Sequence, residues 1–428
     1  MLSACGNKKG NSVTEPDNSL DKCTLRFSWW GGDDRHSATL DAIEYWNYLH
    51  PDIEIKAEYG GWDGWTEKIN TQINGSTAPD IMQINYDWLI SLSNDGLGFY
   101  NLNKLCKNNE NSSGYLDLSG FDDETLSFGE VNGQLNAITV SMGGRGLFYN
   151  SQVYESLGVP YPKTWDELIR LGGVFDEQNL YPLDLDVQSG GTAWYFSVVY
   201  VQQKTGREFI SMDGDLGFTV SDIKAALDFY KTLEDNHAIR TVKVRTDEDG
   251  NGALYQSSEF IDEKIAGVLE WGSAIGKYES VLDDNVLESG PFLSDSNGNT
   301  NGWMIKPSLM YAISGNTDYP DEAAAFIDFL VNDEKCAEIL GTTRGIPASC
   351  YALDALSNTG KIEGLSNDSA EMLSELNTVT VSPYMELSQM KEYYNTAIEN
   401  VSYGVESTSD AAQEMYDSIN SYLEKIKK

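Results

Sequence analysis

Three short segments of the chain place aromatic side chains beside carboxylates or amides. They are residues 29–34 (WWGGDD), 59–63 (YGGWD) and 85–88 (NYDW). Aromatic rings stack on the apolar C–H faces of a pyranose, and Asp and Asn side chains hydrogen-bond its hydroxyl groups. A carboxylate buried without such a partner is costly, so an empty site of this kind has to be open or hydrated. These residue types therefore predict a sugar-binding site.

Each of the three segments ends a predicted β-strand. Apolar patterns predict strands over residues 23–30, 52–59 and 78–86, and helical spacing predicts helices over residues 35–50 and 66–75. This β-α-β-α-β order favours a mostly parallel sheet with helices on both faces. Ligands of open α/β sheets bind beyond the carboxyl ends of the strands. We therefore expect the three segments to meet at one edge of the sheet.

The tryptophans near the second segment have different expected roles. Trp65, Ile69 and Ile73 are four residues apart and form the apolar stripe of a helix, so Trp65 is assigned to the core. Trp46 lies on the stripe of its own helix and is also assigned to the core. Trp62 lies off the stripe, after two glycines, and is the predicted ligand contact.

The first segment contains adjacent tryptophans, which point to opposite faces of a strand. Either Trp29 or Trp30 can face the ligand, and Trp30 is favoured. Asp33 and Asp87 are the predicted acceptors for sugar hydroxyls. Asp63 either caps the following helix or accepts a hydroxyl, and capping is favoured.

Composition excludes two classes of partner. The 428 residues are enough for two or three domains, and 29 Lys+Arg against 67 Asp+Glu give a formal net charge of −38. A surface this negative repels the phosphates of nucleic acids and the headgroups of anionic lipids. Six of the ten tryptophans lie within the first 88 residues, which is a concentration that core packing alone does not explain.

Metals and cofactors are not expected. The five cysteines have no CxxC spacing and the three histidines are scattered, which makes a zinc site improbable. The sequence does not decide whether Cys336 pairs with Cys350 or Cys23 with Cys106, and free thiols are favoured. Residues 247–252 (DEDGNG) resemble the start of a calcium loop, but the twelfth position is Ser258, so an acidic surface turn is favoured.

The N-terminus predicts a lipid anchor. Residues 2–5 (LSAC) resemble a bacterial lipobox, in which Cys5 is the lipidated residue, and residues 6–22 have the composition of a flexible tether. No run of eighteen apolar residues follows. The expected location is the outer face of a cytoplasmic membrane, and a Gram-positive bacterium is the expected source.

Several longer segments resemble extracellular solute-binding proteins of ABC sugar importers, the family that includes maltose-binding protein. They are residues 61–89 (GWDGWTEKINTQINGSTAPDIMQINYDWL), 144–168 (GRGLFYNSQVYESLGVPYPKTWDEL), 263–275 (EKIAGVLEWGSAI) and 344–349 (RGIPAS). The resemblance covers most of the chain in the family's order. It implies a type II periplasmic-binding-protein-like fold: two α/β lobes, each a mostly parallel sheet flanked by helices, that close by hinge motion around a sugar.

The resemblance also implies how the chain divides. After a tether over residues 1–22, lobe one is expected over residues 23–139 and 301–344, and lobe two over residues 140–300 and 345–428. The runs TVSMGG and RGIPA are the expected hinge crossings. The implied protein is a monomer that delivers its ligand to ABC permease subunits and touches the membrane only through its lipid.

Further ligand contacts follow from the resemblance. Asp87 matches an acid that hydrogen-bonds sugar hydroxyls, and Trp271 matches a stacking tryptophan at a strand end of lobe two. Arg344 either hydrogen-bonds sugar or holds the hinge. Additional expected contacts come from lobe two, a lobe crossing and the C-terminal helices: Trp194, Tyr195, Trp303 and Tyr393, with Tyr394 beside it.

Two alternative functions stay open on the sequence. A secreted glycoside hydrolase needs two carboxylates across the sugar, and Asp33, Asp63 and Asp87 could converge. An amino-acid or peptide receptor of the same fold would use a fixed cation–anion pair rather than many tryptophans. The first segment, WWGGDDRH, differs from the maltose-binding pattern, and its rich aromatic surface favours an oligosaccharide over a monosaccharide. We therefore expect a non-catalytic receptor for an oligosaccharide.

Overall fold

The secondary structure alternates strands and helices along the chain. The structure, a computed structural model, describes residues 23–62, 64–92, 98–107, 114–188, 191–250, 252–283, 286–360 and 362–427. The strands are β1 (Cys23–Trp30), β2 (Ile53–Gly60), β3 (Ile81–Ile84), β4 (Glu130–Val131), β5 (Gln134–Leu135), β6 (Ile138–Asn150), β7 (Gly267–Trp271), β8 (Leu287–Ser289), β9 (Met304–Ile313) and β10 (Val379–Thr380). Cys5 and Asp63, with their predicted roles, lie outside the described residues.

Helices flank these strands. They are α1 (Asp33–Leu49), α2 (Trp65–Asn74), α3 (Trp88–Ser91), α4 (Asp123–Ser127), α5 (Ser151–Leu157), α6 (Trp165–Asp176), α7 (Thr192–Thr205), α8 (Val220–Asp235), α9 (Val242–Asp249), α10 (Ser258–Ile261), α11 (Gly276–Glu279), α12 (Pro320–Asn332), α13 (Glu334–Leu340), α14 (Cys350–Thr359), α15 (Leu365–Ser374), α16 (Ser388–Ser402) and α17 (Thr408–Ile426). Within the described ranges, no helix is long and apolar enough to cross a bilayer.

The sheet confirms the predicted mixed α/β fold. Its strand order is β2-β1-β3-β9-β6-β7, with β10 beside β9 and β8 beside β6. Strands β2, β1 and β3 are parallel, so the three aromatic segments do follow carboxyl ends at one edge of the sheet. Strand β9 runs antiparallel to β3 and to β6.

Two long strands connect the lobes. The first part of β6 pairs with β9 over residues 138–144, and its last part pairs with β7 and β8 over residues 145–150. The predicted hinge runs also meet there, because Ser141 bridges to Pro347 and the amide of Ala348 donates to the carbonyl of Val140. The two predicted hinge runs are thus joined by backbone contacts.

Separate hydrophobic cores define the lobes. In lobe one, Trp29 and Trp46 pack on one face of the sheet, and Trp65 and Met310 pack on the other. A large core in lobe two is built around aromatic residues of α6, α7 and α8. The burial of Trp46 and Trp65 confirms their assignment to the core.

The cores correct two predicted lobe boundaries. Ala352 and Leu356 of α14 pack on Ala337 of α13, so the chain stays with lobe one beyond Arg344, and Leu365 is the next residue in a lobe-two core. Trp303 belongs to the lobe-two core, although residues 301–344 were expected in lobe one. The hydrophobic core in which each segment is buried decides both boundaries, and sequence motifs alone do not indicate that core.

The segment that resembles a calcium loop begins inside a helix. Asp247 and Asp249 lie in α9, where Asp249 accepts a hydrogen bond from Ser257 Oγ at 2.6 Å and pairs with Arg240 Nη2 at 2.6 Å. No cluster of three or more potential metal ligands occurs among the described residues. Of the cysteines, the four in the described ranges are free thiols: Cys23, Cys106, Cys336 and Cys350.

Candidate functional site

A cluster of three tryptophans, Trp30, Trp62 and Trp88, lies at the carboxyl ends of the lobe-one strands. We call it the tryptophan cluster. The ring of Trp62 is 5.1 Å from that of Trp30 and 6.3 Å from that of Trp88, to which it is nearly parallel. Trp30 and Trp88 are buried, whereas Trp62 is 44% exposed. The two buried rings therefore support Trp62, which offers its surface to a ligand.

The neighbouring tryptophan takes no part in this cluster. Trp29 points to the other face of the sheet, where its Nε1 donates to His36 Nδ1 at 3.1 Å and its ring stacks on Tyr59 at 5.0 Å. Burial lowers the pKa of His36, which suits a neutral ring that accepts this bond. Strand alternation thus leaves Trp30 on the side of the exposed ring.

Asp87 lies after β3 and is buried. Asn85 Nδ2 donates a hydrogen bond of 2.5 Å to Asp87 Oδ1. Burial raises the pKa of Asp87 to about 6, because an ionised carboxylate loses hydration there; Lys391 opposes the shift and Glu386 adds to it. The carboxylate of lobe one therefore faces charged groups brought by α16 and by the segment before it.

These groups form a charge cluster, which we define as Asp87, Arg145, Lys306, Glu386 and Lys391. Lys306 Nζ donates to the carboxylate of Glu386. Burial raises the pKa of Glu386, but Lys306 and Lys391 outweigh it and hold that pKa below its ordinary value. Burial lowers the pKa of Lys306 despite its pairing with Glu386. The cluster contains three cations and two carboxylates.

Trp271 lies at the end of β7 and is partly exposed, as a strand-end position predicts. The guanidinium of Arg145 is 4.8 Å from its ring centroid and Lys306 Nζ is 4.6 Å from it. Tyr195 meets the ring edge-on at 6.2 Å and donates its hydroxyl to the carbonyl of Met304 at 2.9 Å. Tyr195 is buried and thus supports the site from below.

Two predicted contacts, Trp194 and Trp303, are corrected by their burial and packing. Trp194 and Trp303 are fully buried: Trp194 stacks on Tyr394, and Trp303 Nε1 donates to the carbonyl of Leu293 at 3.1 Å. Tyr393 packs edge-on against Tyr422 of α17. Its neighbour Tyr394 is buried, and its hydroxyl donates to the carbonyl of Met385 at 3.3 Å. Burial raises the pKa of Tyr394, Glu386 and Asp87 add to the shift, and Arg145 opposes it.

Asp33 and Arg344 occupy different settings. Asp33 is exposed in the first turn of α1. Arg344 is buried, where its Nε donates to Gln83 Oε1 at 3.0 Å and its Nη2 to Thr39 Oγ1 at 2.8 Å. Ser141 Oγ donates to its carbonyl at 2.5 Å. These contacts suit the hinge-holding alternative for Arg344.

The charged residues on the lobe-two side of the site were not predicted from the sequence. Arg145 lies in the glycine break GGRG of a predicted strand, and Lys306 is the single charged residue of the apolar run WMIKPSLMYAIS. A lone cation in a buried strand is the signal that was available. Glu386 and Lys391 carry no local signal, because their role depends on the packing of distant segments.

Two lobes, with ligand-type residues at the strand ends between them, define a two-lobed binding protein. The sequence profile of the bacterial extracellular solute-binding proteins matches residues 32–335, and the chain belongs to this family.

Similar solved structures agree with this family. A periplasmic oligogalacturonide binding protein from Yersinia enterocolitica, in complex with saturated digalacturonic acid, is 34% identical, with a TM-score of 0.87 and coverage of 95% of this chain and 100% of that one. A periplasmic solute binding protein from Pectobacterium atrosepticum is 32% identical, with the same TM-score and coverage.

A third similar structure is a de novo designed cysteine esterase. It is 33% identical, with a TM-score of 0.78 and coverage of 95% of this chain and 100% of that one. Its esterase activity is that of a designed protein and is not evidence for a natural enzyme here. The natural relatives at this level of identity are solute-binding proteins.

Proposed function

We propose that this protein captures a short acidic oligosaccharide, of the oligogalacturonide class, between its lobes and delivers it to an ABC importer. The observation that carries the proposal is the charge cluster. Its three cations outnumber its two carboxylates in a chain whose formal net charge is −38. Cations form strong charge-assisted hydrogen bonds with carboxylates, and the carboxylates of uronic acids are suitable partners for those of Arg145, Lys306 and Lys391.

The remaining parts of a sugar site support the same proposal. Trp62 offers an exposed ring for the apolar face of a sugar unit, with two buried rings behind it. Asp87 adds a carboxylate that can accept hydrogen bonds from hydroxyls. The relative from Yersinia enterocolitica binds oligogalacturonide and aligns over 95% of this chain.

Delivery follows from the fold. Closure of the lobes buries the ligand and creates a closed shape that a permease can recognise. We include in the proposal the lipid anchor at Cys5, placement on the outer face of the membrane, permease subunits as partners, a monomeric state and binding without turnover. Asp33 and Trp271 are included as residues that act at the cleft.

Calorimetry tests the proposal. Purified protein should bind digalacturonate and trigalacturonate, and the affinity should fall as salt rises, because the contact is between charges. The methyl esters and neutral galacto-oligosaccharides should bind at least about tenfold more weakly, since a lost charge-assisted hydrogen bond is worth about 1.5–3 kcal/mol. Reducing ends should not increase on incubation. Binding of neutral sugars alone, or turnover, would refute the proposal.

A matched pair of lysine variants sharpens the test. Lys391→Gln removes a cation of the charge cluster and should weaken digalacturonate binding several-fold. Lys335→Gln removes an exposed cation that pairs with Glu338 on α13 and should leave binding unchanged. Equal effects of the two variants would show that general charge, and not the cluster, controls binding.

A further inference from the structure

We infer that Trp271 is a positioning residue: its ring holds the cations of Arg145 and Lys306 in place for a ligand carboxylate, and it does not serve as a stacking platform for sugar. This inference rests on the proposed function and names the residues that would set its specificity. The resemblance to sugar-binding proteins implied the opposite role, a stacking tryptophan.

The sheet register places the three side chains on one face. Arg145 of β6 pairs directly with Trp271 of β7. On the other side of β6, Gly143 pairs with Lys306 of β9. Residues two apart in a strand point to the same face, so Arg145 shares the face of position 143 and of Lys306. Trp271, Arg145 and Lys306 therefore form a row across three neighbouring strands.

The distances from the two cations to the Trp271 ring are those of cation–π contacts. The guanidinium carbon of Arg145 lies 4.8 Å, and Lys306 Nζ 4.6 Å, from the centroid of Trp271. Both distances are within the roughly 6 Å at which a tryptophan ring attracts a cation, and desolvation strengthens that attraction. Both cations are buried. The cations of Arg145 and Lys306 therefore occupy ring surface that the C–H groups of a sugar would need for stacking.

A neighbouring aromatic residue, Tyr195, holds Arg145 and Trp271 in position. Tyr195 contacts Arg145 at 5.2 Å and meets Trp271 edge-on at 6.2 Å. The hydroxyl of Tyr195 is fixed by the backbone of Met304, to which it donates at 2.9 Å. Met304 begins the strand that carries Lys306. The row is therefore braced from the lobe-two core, which is how a preorganised anion-recognition site is built.

The consequence concerns specificity. If Trp271 positions cations, its removal should weaken binding of a charged sugar and should hardly affect a neutral one. If it stacks on a sugar ring, its removal should weaken both equally. Trp62, which offers an exposed ring, is the internal comparison for stacking.

The experiment compares Trp271→Leu, Trp271→Phe and Trp62→Leu with digalacturonate and with its methyl ester. We expect Trp271→Leu to weaken digalacturonate binding at least about tenfold and ester binding less than twofold, with Trp271→Phe in between because Phe attracts cations less. Trp62→Leu should weaken both ligands by the same factor. In a double-mutant cycle, Arg145→Gln should add little to Trp271→Leu. Equal losses of both ligands in Trp271→Leu, or additive effects in the cycle, would overturn the inference.

A second measurement needs no ligand. In protein labelled with ¹³C-lysine, the ring current of Trp271 should shift the Lys306 Hε resonances upfield, with Lys306→Arg giving the assignment. The shift should vanish in Trp271→Leu and be reduced in Trp271→Phe, whose smaller ring has a ring current of its own. An unshifted Lys306 signal in the wild type would overturn the positioning role. Failure of the wild type to bind digalacturonate, with the ring-current shift present, would overturn the proposed function and leave the positioning of the cations supported.

Discussion

Arg35 of lobe one donates from Nη2 to the carbonyl of Ser273 in lobe two, at 3.5 Å. The same guanidinium donates to the carbonyl of Thr343 at 2.9 Å and of Trp30 at 3.1 Å. One side chain thus joins the end of β1, the segment before the hinge run and the loop after β7. Burial and, to a smaller extent, the neighbouring Arg344 together lower its pKa to about 9. Arg35 contacts both lobes, so its hydrogen bond to Ser273 depends on how closely the lobes approach each other.

Gly31→Ala should disturb this contact. A Cβ at position 31 would lie 2.6 Å from Cδ of Arg35, whereas a Cβ at position 32 would meet nothing within 4 Å. We expect Gly31→Ala to lower the free energy of unfolding by about 1–3 kcal/mol through overpacking, and to increase the radius of gyration in the presence of digalacturonate. Gly32→Ala should match the wild type. Thermal unfolding and small-angle scattering check both, and identical behaviour of the two variants would contradict the assignment.

Trp62→Ala and Trp65→Ala should separate ligand binding from stability. Trp62 is 44% exposed and its loss should weaken digalacturonate binding at least about tenfold while leaving the free energy of unfolding within about 0.5 kcal/mol. Trp65 is buried in the core, so Trp65→Ala should cost about 3–5 kcal/mol. Denaturant titration and calorimetry measure the two quantities. A large loss of stability in Trp62→Ala would show that Trp62 is a core residue.

Asp87 should make stability depend on pH. Its folded pKa of about 6 lies above the ordinary value of 3.8, so the folded state binds more protons between those two values. Stability contributed by the protonated form is then lost as pH rises from about 4 to about 6, by up to about 3 kcal/mol. Asp87→Asn should remove this loss and be the more stable protein at pH 7.

The unfolding free energy of wild type and Asp87→Asn, measured from pH 4 to pH 8, checks this sign. Asp354→Asn, at an exposed position of α14, is the control and should follow the wild type. Protonation of Asp87 also removes a negative charge from the charge cluster, so digalacturonate should bind more tightly at pH 5 than at pH 7.5. A stability difference between wild type and Asp87→Asn that is constant across the range would rule out the raised pKa.

Arg240→Met should destabilise lobe two strongly. Arg240 is buried and pairs with Asp184 at 2.8 Å and with Asp249 at 2.6 Å. Its removal leaves buried carboxylates uncompensated, at a cost of about 3–5 kcal/mol. Lys243→Met removes an exposed partner of Asp247 on the same helix and should leave stability nearly unchanged. Thermal unfolding of both variants checks the contrast, and equal melting temperatures would mean that the buried network contributes little.

Local pattern was enough for several parts of the site. Apolar periodicity predicted β1, β2, β3 and the helices between them, and therefore the edge at which Trp62 and Asp87 meet. The four-residue spacing from Trp65 to Ile73 separated Trp65 from Trp62. These properties depend on neighbours within one turn or one strand, which the sequence displays directly.

Tertiary structure alone decided the chemistry on the lobe-two side. Trp194 and Trp303 share their residue type with Trp62, and only packing against distant helices separates the two buried rings from the exposed one. By itself the sequence determined the fold class, the strand-end aromatics and the acidic surface. The pairing of β9, β6 and β7 determined that Lys306, Arg145 and Trp271 lie in one row, because strand register joins residues more than a hundred positions apart.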